Sequence, residues 1–458
     1  MLSQSLSASA MNQPKYQIIA AQINQRIESG EYPKGSKLPP HRVLAKQLNT
    51  TAVTVAKAYQ LLVEQRKIAS YVGRGSYVLG ERLENVIHAQ IAADEFNFSI
   101  LQPCSTLNNA AIKSLLATQA QHIDDELLQY SEDSGLKRHR EAGAKWCRHF
   151  GLAVDDSEDI VLTNGAQNAL ASLIQLYSKE GDCIAVEAHT YPGILSICKY
   201  LHRRVVAIEM DEQGMMPSAL QEQCEKEKPT MVLVVPAQQN PTGATMLLER
   251  RQQIAMLVKA YQLWLVEDDI YAFLNQQLLA PIANIIPERT FYISSLSKAI
   301  SPGLRCGYIK IPKEQRPKVV DYIRATIWLA SPFMFELATD AINSGTAFQW
   351  ANRQKKKAAQ RQLLVTEYLQ QPMQRQSASY SCWLQLPETW SAKDFTAKAQ
   401  AQGVIVSDAS FFSASQRARA VRLSVMAIAT DAHFLKGLQI LQQLVTRDCD
   451  LPDAQPQS

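Results

Sequence analysis

Residues 291–310 read FYISSLSKAISPGLRCGYIK. A short apolar run, 291–294, passes directly into Ser295-Leu296-Ser297-Lys298, and a Pro302-Gly303 turn then leads to Leu304-Arg305-Cys306-Gly307-Tyr308. A short run led by Phe291, Tyr292 and Ile293 and bounded by polar and turn-forming residues is the pattern of a buried strand. A lysine at the end of such a strand is, taken alone, an ordinary solvated charge. The same arrangement recurs upstream, however. IVLT is followed by Asn164-Gly165-Ala166-Gln167, MVLVVP by Gln239-Asn240-Pro241-Thr242-Gly243, and WLVE by Asp268, Asp269 and Tyr271.

With further apolar runs at 182–187 and 205–209, strands at 159–163, 231–236, 264–267 and 291–294 alternate with helix-length segments. That alternation predicts a mainly parallel sheet with helices on both faces. Ligands of such sheets bind beyond the carboxyl ends of the strands, which is where all four polar clusters fall. Downstream, a helical stretch at 348–369, strands at 381–386, 404–406 and 420–425, and a closing helix at 433–445 predict a smaller α/β lobe.

The 458 residues suggest two or three domains, at roughly 100–200 residues each. A hydrophobic fraction of 46% with 18 Gly and 20 Pro excludes disordered, collagenous and low-complexity classes. No stretch approaches the roughly 20 apolar residues of a membrane span, and the opening MLSQSLSASA has neither the basic patch nor the apolar core of a signal peptide. Eight cysteines without any C-x-x-C suit a reduced, cytosolic protein. The histidines show no metal-ligand spacing, so no metal site is expected.

A formal charge of +4 conceals a contrast. Residues 14–79 hold ten bases and three acids, a net of +7 that leaves −3 for the remainder. This is the electrostatic footprint of a nucleic-acid reader attached to another module. Ile19, Ile23 and Ile27 predict a helix stopped at Gly30. A short helix at 40–48 and a second at 51–65, with Val55, Ala58, Leu61 and Leu62 inward, make a helix-turn-helix. Strands at 68–71 and 76–79, joined through Val72-Gly73-Arg74-Gly75, add a wing. Residues 80–94 are polar and read as a connector.

The run from Tyr16 to Val78 resembles the winged helix-turn-helix of GntR-type transcription factors, through Gly30, Pro33, Gly35, Leu38-Pro39, Arg42, Thr54-Val55, Ala58-Tyr59 and Gly73-Arg74-Gly75. The resemblance implies that Arg42, Thr51, Thr54, Lys57 and Arg74 contact double-stranded operator DNA. Ala52 departs from the arginine usual in that family, which leaves the operator sequence open.

Residues 97–448 resemble the fold type I pyridoxal-phosphate enzymes of aminotransferase class I/II, and the pairing resembles the MocR subfamily of bacterial regulators. The resemblance implies a mainly α winged helix-turn-helix at 14–79, a linker at 80–96, and an α/β effector and dimerisation domain with large and small lobes at 97–448. It implies pyridoxal 5′-phosphate as cofactor, bound as an aldimine to Lys298. Asp268 would pair with the pyridine nitrogen, Asn240 and Tyr271 would meet the ring hydroxyl, and Tyr191 would stack on the ring. Ser295, Arg305 and the backbone of Gly165, Ala166 and Gln167 would bind the phosphate. Tyr130 would reach the cofactor of a second copy, making a homodimer, and Arg422 would hold an effector carboxylate. The implied function is a cytoplasmic bacterial regulator, nucleoid-associated when bound to DNA, that senses an amine, an amino acid or the cofactor itself at Lys298. The alternative is a working aminotransferase with an attached DNA-binding module.

Overall fold

The computed structural model describes residues 14–28, 31–32, 36–64, 67–71, 75–78, 95–121, 123–130, 134–370, 378–414 and 418–446. Gly30, the 33–35 turn, the wing tip with Arg74 and the connector at 80–94 lie outside them. The chain divides into two compact units, Met1–His88 and Ala89–Ser458.

In the first unit, α1 (Lys15–Glu28) packs on α3 (Ala52–Glu64), with α2 (His41–Gln47) across it. The core takes Ile19 and Ile23 from α1, Leu44 and Ala45 from α2, and Val55, Ala58, Tyr59 and Leu62 from α3. Leu61, expected inward, is half-buried. Leu61 falls off the stripe that Val55, Ala58, Tyr59 and Leu62 make at i, i+3, i+4 and i+7, and the Tyr59 hydroxyl donates to the Pro39 carbonyl at 2.7 Å, so burying its ring strands no polar atom. Thr51 Oγ accepts the Thr54 N–H at 3.2 Å and thereby caps α3. Strands β1 (Ile68–Tyr71) and β2 (Gly75–Val78) pair antiparallel, Ile68 opposite Val78.

The strands of the second unit are, in chain order, β3 (Phe96–Asn97), β4 (Ile160–Asn164), β5 (Cys183–Glu187), β6 (Arg204–Ile208), the small hairpin β7 (Met210–Asp211) and β8 (Gly214–Met215), β9 (Met231–Val234), β10 (Trp264–Asp268), β11 (Thr290–Ser295) and β12 (Cys306–Lys310). They are followed by β13 (Ser381–Gln385), β14 (Val404–Ile405), β15 (Ser407–Asp408) and β16 (Ala420–Ser424). Seven of them form one sheet in the order β4-β12-β11-β10-β9-β5-β6. Within it β12 runs antiparallel to both its neighbours, and the pairings among β11, β10, β9, β5 and β6 are parallel.

Both sheet faces are buried, which explains why the strands read as continuous apolar runs. Val161, Ile184, Leu233, Val266, Ile293 and Ile309 share one core with the helices Ala166–Tyr177, Pro192–Tyr200 and Arg316–Ile327. Their chain neighbours Ile160, Leu162, Ala185, Val232, Leu265, Tyr292 and Tyr308 face the other side, toward helices that include Lys137–His149, Pro217–Glu227 and Leu248–Ala260. The smaller lobe is the sheet β13-β16-β15 with the helices Thr346–Leu369, Ala392–Ala401 and Asp431–Thr446. The two-residue β3 joins it by pairing parallel with β14. Among the described residues no helix is long and apolar enough to cross a membrane.

Candidate functional site

The carboxyl ends of β4, β5, β9, β10 and β11 bring the predicted polar clusters to one edge of the sheet. Lys298 follows β11 and is half-buried. Its Nζ donates to the Leu101 carbonyl at 2.6 Å, and the Tyr380 hydroxyl donates to its own carbonyl at 2.9 Å. Burial, with Arg422 adding to it, pushes the ammonium down to about 8 against the opposing pull of Asp268. A lysine so placed holds a substantial neutral fraction near neutral pH, as a nucleophilic amine requires.

Asp268 ends β10, and its Oδ1 is buried without a partner among the described residues. Burial and the neighbouring Asp269 push its carboxyl up to about 7, while Lys298 lowers it. A carboxylate with an open buried oxygen suits a donor that the described residues do not supply. Tyr191 precedes the helix Pro192–Tyr200, and its phenol is raised by burial and by Asp268 while Arg305 and Arg422 lower it. A Cβ on Gly193 would lie 2.3 Å from the Tyr191 ring and 2.6 Å from Gln167 Oε1, so glycine is what lets these groups converge. Gln167 Oε1 is likewise buried without a partner.

Gly165, at φ 80°, precedes the helix Ala166–Tyr177, whose N-terminus has no side-chain cap. The first N–H groups of a helix have no acceptor within it, and the helix dipole favours an anion there. Arg305 lies over this end: its Nη2 donates to the Asn164 carbonyl at 3.0 Å, and a Cβ on Gly165 would come within 2.5 Å of that nitrogen. Arg305 itself adopts φ 51°, a left-handed conformation costing roughly 1 kcal/mol in a residue with a Cβ. Ser295 Oγ sits 3.0 Å from both the Cys306 carbonyl and Ser297 Oγ. Gly165, Ala166, Gln167 and Arg305 could hold an anion at this helix end, and Ser295 is buried at the end of β11.

Arg422, on the central strand of the small sheet, is 4% exposed. Its Nη1 donates to Asn240 Oδ1 at 3.3 Å, and its Nη2 to the Ser99 carbonyl and to Ser407 Oγ at 3.0 Å. The guanidinium lies over the Phe412 ring at 4.8 Å. Among the described residues its Nε has no partner, and no carboxylate is within 4.0 Å of it. Burial pushes it down to about 10. Asn240 opens a turn with a cis bond to Pro241, and the buried Tyr271 phenol is raised by burial and interacts with Arg422, Asp268 and Tyr191.

Tyr130 stands apart from this cluster. It is 83% exposed, its ring 5.4 Å from that of Trp328. On the reader, Arg42, Thr51 and Lys57 are exposed and Thr54 is half-buried. Sequence reasoning missed the carbonyls of Ser99 and Leu101, which carry no residue signal, and Tyr380, Ser407 and Phe412, which read as ordinary core residues. It also missed Gln239, whose Nε2 donates to Glu187 Oε2 at 2.9 Å and to the His189 carbonyl at 2.6 Å. The arrangement offers an amine nucleophile at Lys298, a buried carboxylate with an open oxygen at Asp268, a helix N-terminus with Arg305 that suits an anion, and a guanidinium at Arg422 that suits a ligand carboxylate.

Residues 93–440 match the family described as aminotransferase class I and II, and residues 15–78 match bacterial regulatory proteins of the gntR family. The chain is similar to the HTH-type transcriptional regulator YdeF of Bacillus subtilis, 29% identical over 448 residues that cover 94% of each chain. It is also similar to the HTH-type pyridoxine biosynthesis transcriptional regulator PdxR of Corynebacterium glutamicum, 26% identical over 65% of this chain and 66% of that one. The fold matches the kynurenine aminotransferase of Pyrococcus horikoshii, solved in complex with PMP, at a TM-score of 0.71 and 24% identity, over 77% of this chain and 91% of that one. The chain therefore belongs to the class I and II aminotransferase family and carries, ahead of that domain, a reader of the gntR family, the pairing of the MocR regulators.

Proposed function

We propose that this protein is a pyridoxal-phosphate-dependent transcriptional regulator whose reader, 14–79, is joined by the connector 80–96 to an effector domain, 97–448. The observation that carries the reading is Arg422: a buried, desolvated cation with no carboxylate partner among the described residues, electrostatically coupled to the half-buried Lys298, in a chain that also holds a DNA reader. A buried charge without a counter-ion is costly, and an amino-acid carboxylate offsets that cost.

Class I and II aminotransferases use pyridoxal 5′-phosphate, and the residues fit it. The open Asp268 Oδ1 suits the pyridine nitrogen, the Gly165–Arg305 cradle with Ser295 suits the phosphate, and Lys298 Nζ suits the aldehyde. When bound, the cofactor supplies an electron sink for amine chemistry. Asp268 holds a proton at the ring nitrogen, Asn240 and Tyr271 orient the ring hydroxyl, and Tyr191 covers one ring face. Arg422 binds the effector carboxylate through two parallel hydrogen bonds. Tyr130, exposed on one copy, reaches the phosphate site of a second, so the working unit is a homodimer in the cytoplasm. Arg42, Thr51, Thr54, Lys57 and Arg74 contact the operator.

A mobility shift on the protein's own upstream region tests this, at stated salt, with and without pyridoxal phosphate and a panel of amines and amino acids. A ligand-dependent change in operator affinity supports the regulator. Response to pyridoxal phosphate alone assigns the cofactor as the effector, a reading favoured by the similarity to PdxR. Steady-state transamination at about 1–1,000 per second with ligand-indifferent DNA binding replaces it with the aminotransferase.

A further inference from the structure

The described part of the second unit begins with residues 95–101, a stretch whose backbone carbonyls touch both Arg422 and Lys298. The Ser99 carbonyl accepts from Arg422 Nη2 and, at 3.3 Å, from Ser407 Oγ. Two residues on, the Leu101 carbonyl accepts from Lys298 Nζ at 2.6 Å. Ser99 is itself fixed by Asn97, whose Oδ1 accepts the Ser99 N–H at 2.8 Å and the Ser99 hydroxyl at 2.7 Å. Such an Asx turn sets the direction of the carbonyls that follow it. Asn97 is 2% exposed and touches neither Lys298 nor Arg422 by any hydrogen bond, so its place is to aim this turn.

The start of the stretch is tied to the small lobe. The N–H groups of Phe96 and Phe98 donate to Gly403 and Ile405, each at 2.8 Å, and the Phe98 carbonyl accepts from Ser424 at 2.6 Å. The Phe96 ring stacks on His433 at 4.3 Å. Its end, at Leu101, is tied to the lysine that follows β11. A ligand that engages Arg422 or Lys298 withdraws a donor from Ser99 or Leu101. The freed carbonyls then lie buried without a full set of donors, which favours a shift of the stretch. The connector and the reader lie upstream of it in sequence.

We propose that Asn97 is a positioning residue: it holds Ser99 to Leu101 so that their carbonyls register whether Arg422 and Lys298 are engaged, and the stretch passes that state to the connector. The proposal rests on the regulator reading above and names the route by which that site is read out. A coupling between two sites requires an element whose two arrangements each ligand distinguishes, and this stretch contacts both cations.

The test uses the full chain as wild type, Asn97→Ala and Asn97→Asp, saturated with pyridoxal phosphate. Ligand binding is followed by the visible absorbance of the cofactor during titration with each standard L-amino acid. Operator affinity is measured at one salt concentration with and without the amino acids that titrate. The wild type is expected to change its operator affinity about fivefold or more. Asn97→Ala keeps its titration midpoint within about threefold of wild type while its operator change falls below about twofold. Asn97→Asp, which keeps the acceptor for Ser99, restores the change. An Asn97→Ala chain that stays fully coupled, or that loses ligand binding and coupling together, overturns the proposal alone. A wild type indifferent to every ligand removes the regulator reading and this proposal with it. Hydrogen exchange on the wild type gives an independent reading should the variants misfold: amides of 96–101 change protection on amino-acid binding, and unchanged exchange there overturns the proposal.

Discussion

Replacing Arg422 by methionine removes a buried cation while keeping an unbranched side chain of similar length. The wild-type guanidinium makes three hydrogen bonds, to Asn240 Oδ1, the Ser99 carbonyl and Ser407 Oγ. Each contributes about 1 kcal/mol net, and against them stands a desolvation cost of several kcal/mol that no carboxylate within 4.0 Å offsets among the described residues. These terms nearly cancel, so Arg422→Met is expected to fold with a stability within about 2 kcal/mol of wild type. Effector binding responds differently. Two charge-assisted hydrogen bonds to a carboxylate, at about 1.5–3 kcal/mol each, total roughly 3–6 kcal/mol, or about 10²- to 10⁴-fold in Kd. An amine without a carboxylate loses none of this. The assay titrates the cofactor's visible absorbance with an amino acid and with its decarboxylated amine, on both proteins. A loss confined to the amino acid is the expected result. Equal losses for both ligands, or amino-acid affinity within threefold of wild type, refute the assignment.

Gly165→Ala places a Cβ 2.5 Å from Arg305 Nη2 at φ 80°; equilibrium dialysis should show cofactor affinity at least about tenfold weaker, with operator affinity of the cofactor-free protein unchanged. The rate of cofactor loading depends on the neutral Lys298 amine, which burial holds near a pKa of about 8 instead of 10.5. Rapid-mixing absorbance should therefore show loading rise about tenfold per pH unit below that value and level off above it; a rise continuing past pH 10 contradicts the assignment. Substituting Arg42 or Lys57 by alanine should lower the slope of log affinity against log salt by about 0.9 each. An unchanged slope removes that residue from the phosphate contacts.

The six sheet strands expected from the sequence form because both faces of this sheet are buried. Each is an apolar run that needs no partner to be recognised. β12 escaped as a strand because its residues, Cys306 to Lys310, stood inside a glycine- and arginine-bearing motif, and its antiparallel direction depends on a turn through Pro302. β3 was illegible for another reason: its two residues pair with β14 some 300 positions away, and no local pattern announces such a contact. In the candidate site, the family resemblance singled out side chains such as Lys298, Asp268, Arg305 and Arg422, because it works through particular residue types. It was silent where the backbone supplies the group, as at Ser99 and Leu101. Reader elements were legible from helical spacing, although the stripe that is buried runs through Val55, Ala58, Tyr59 and Leu62 and leaves Leu61 at its margin.

The central claim is that the chemistry at Lys298 governs DNA binding. The direct measurement compares operator affinity of wild type and Lys298→Ala on the upstream region, at one salt concentration, without ligand, with pyridoxal phosphate, and with pyridoxal phosphate plus amino acids. Both proteins should bind equally well without ligand, since the reader is a separate compact unit. Wild-type affinity should then change about fivefold or more with ligand, and Lys298→Ala should not respond. A Lys298→Ala chain that responds like wild type contradicts the account.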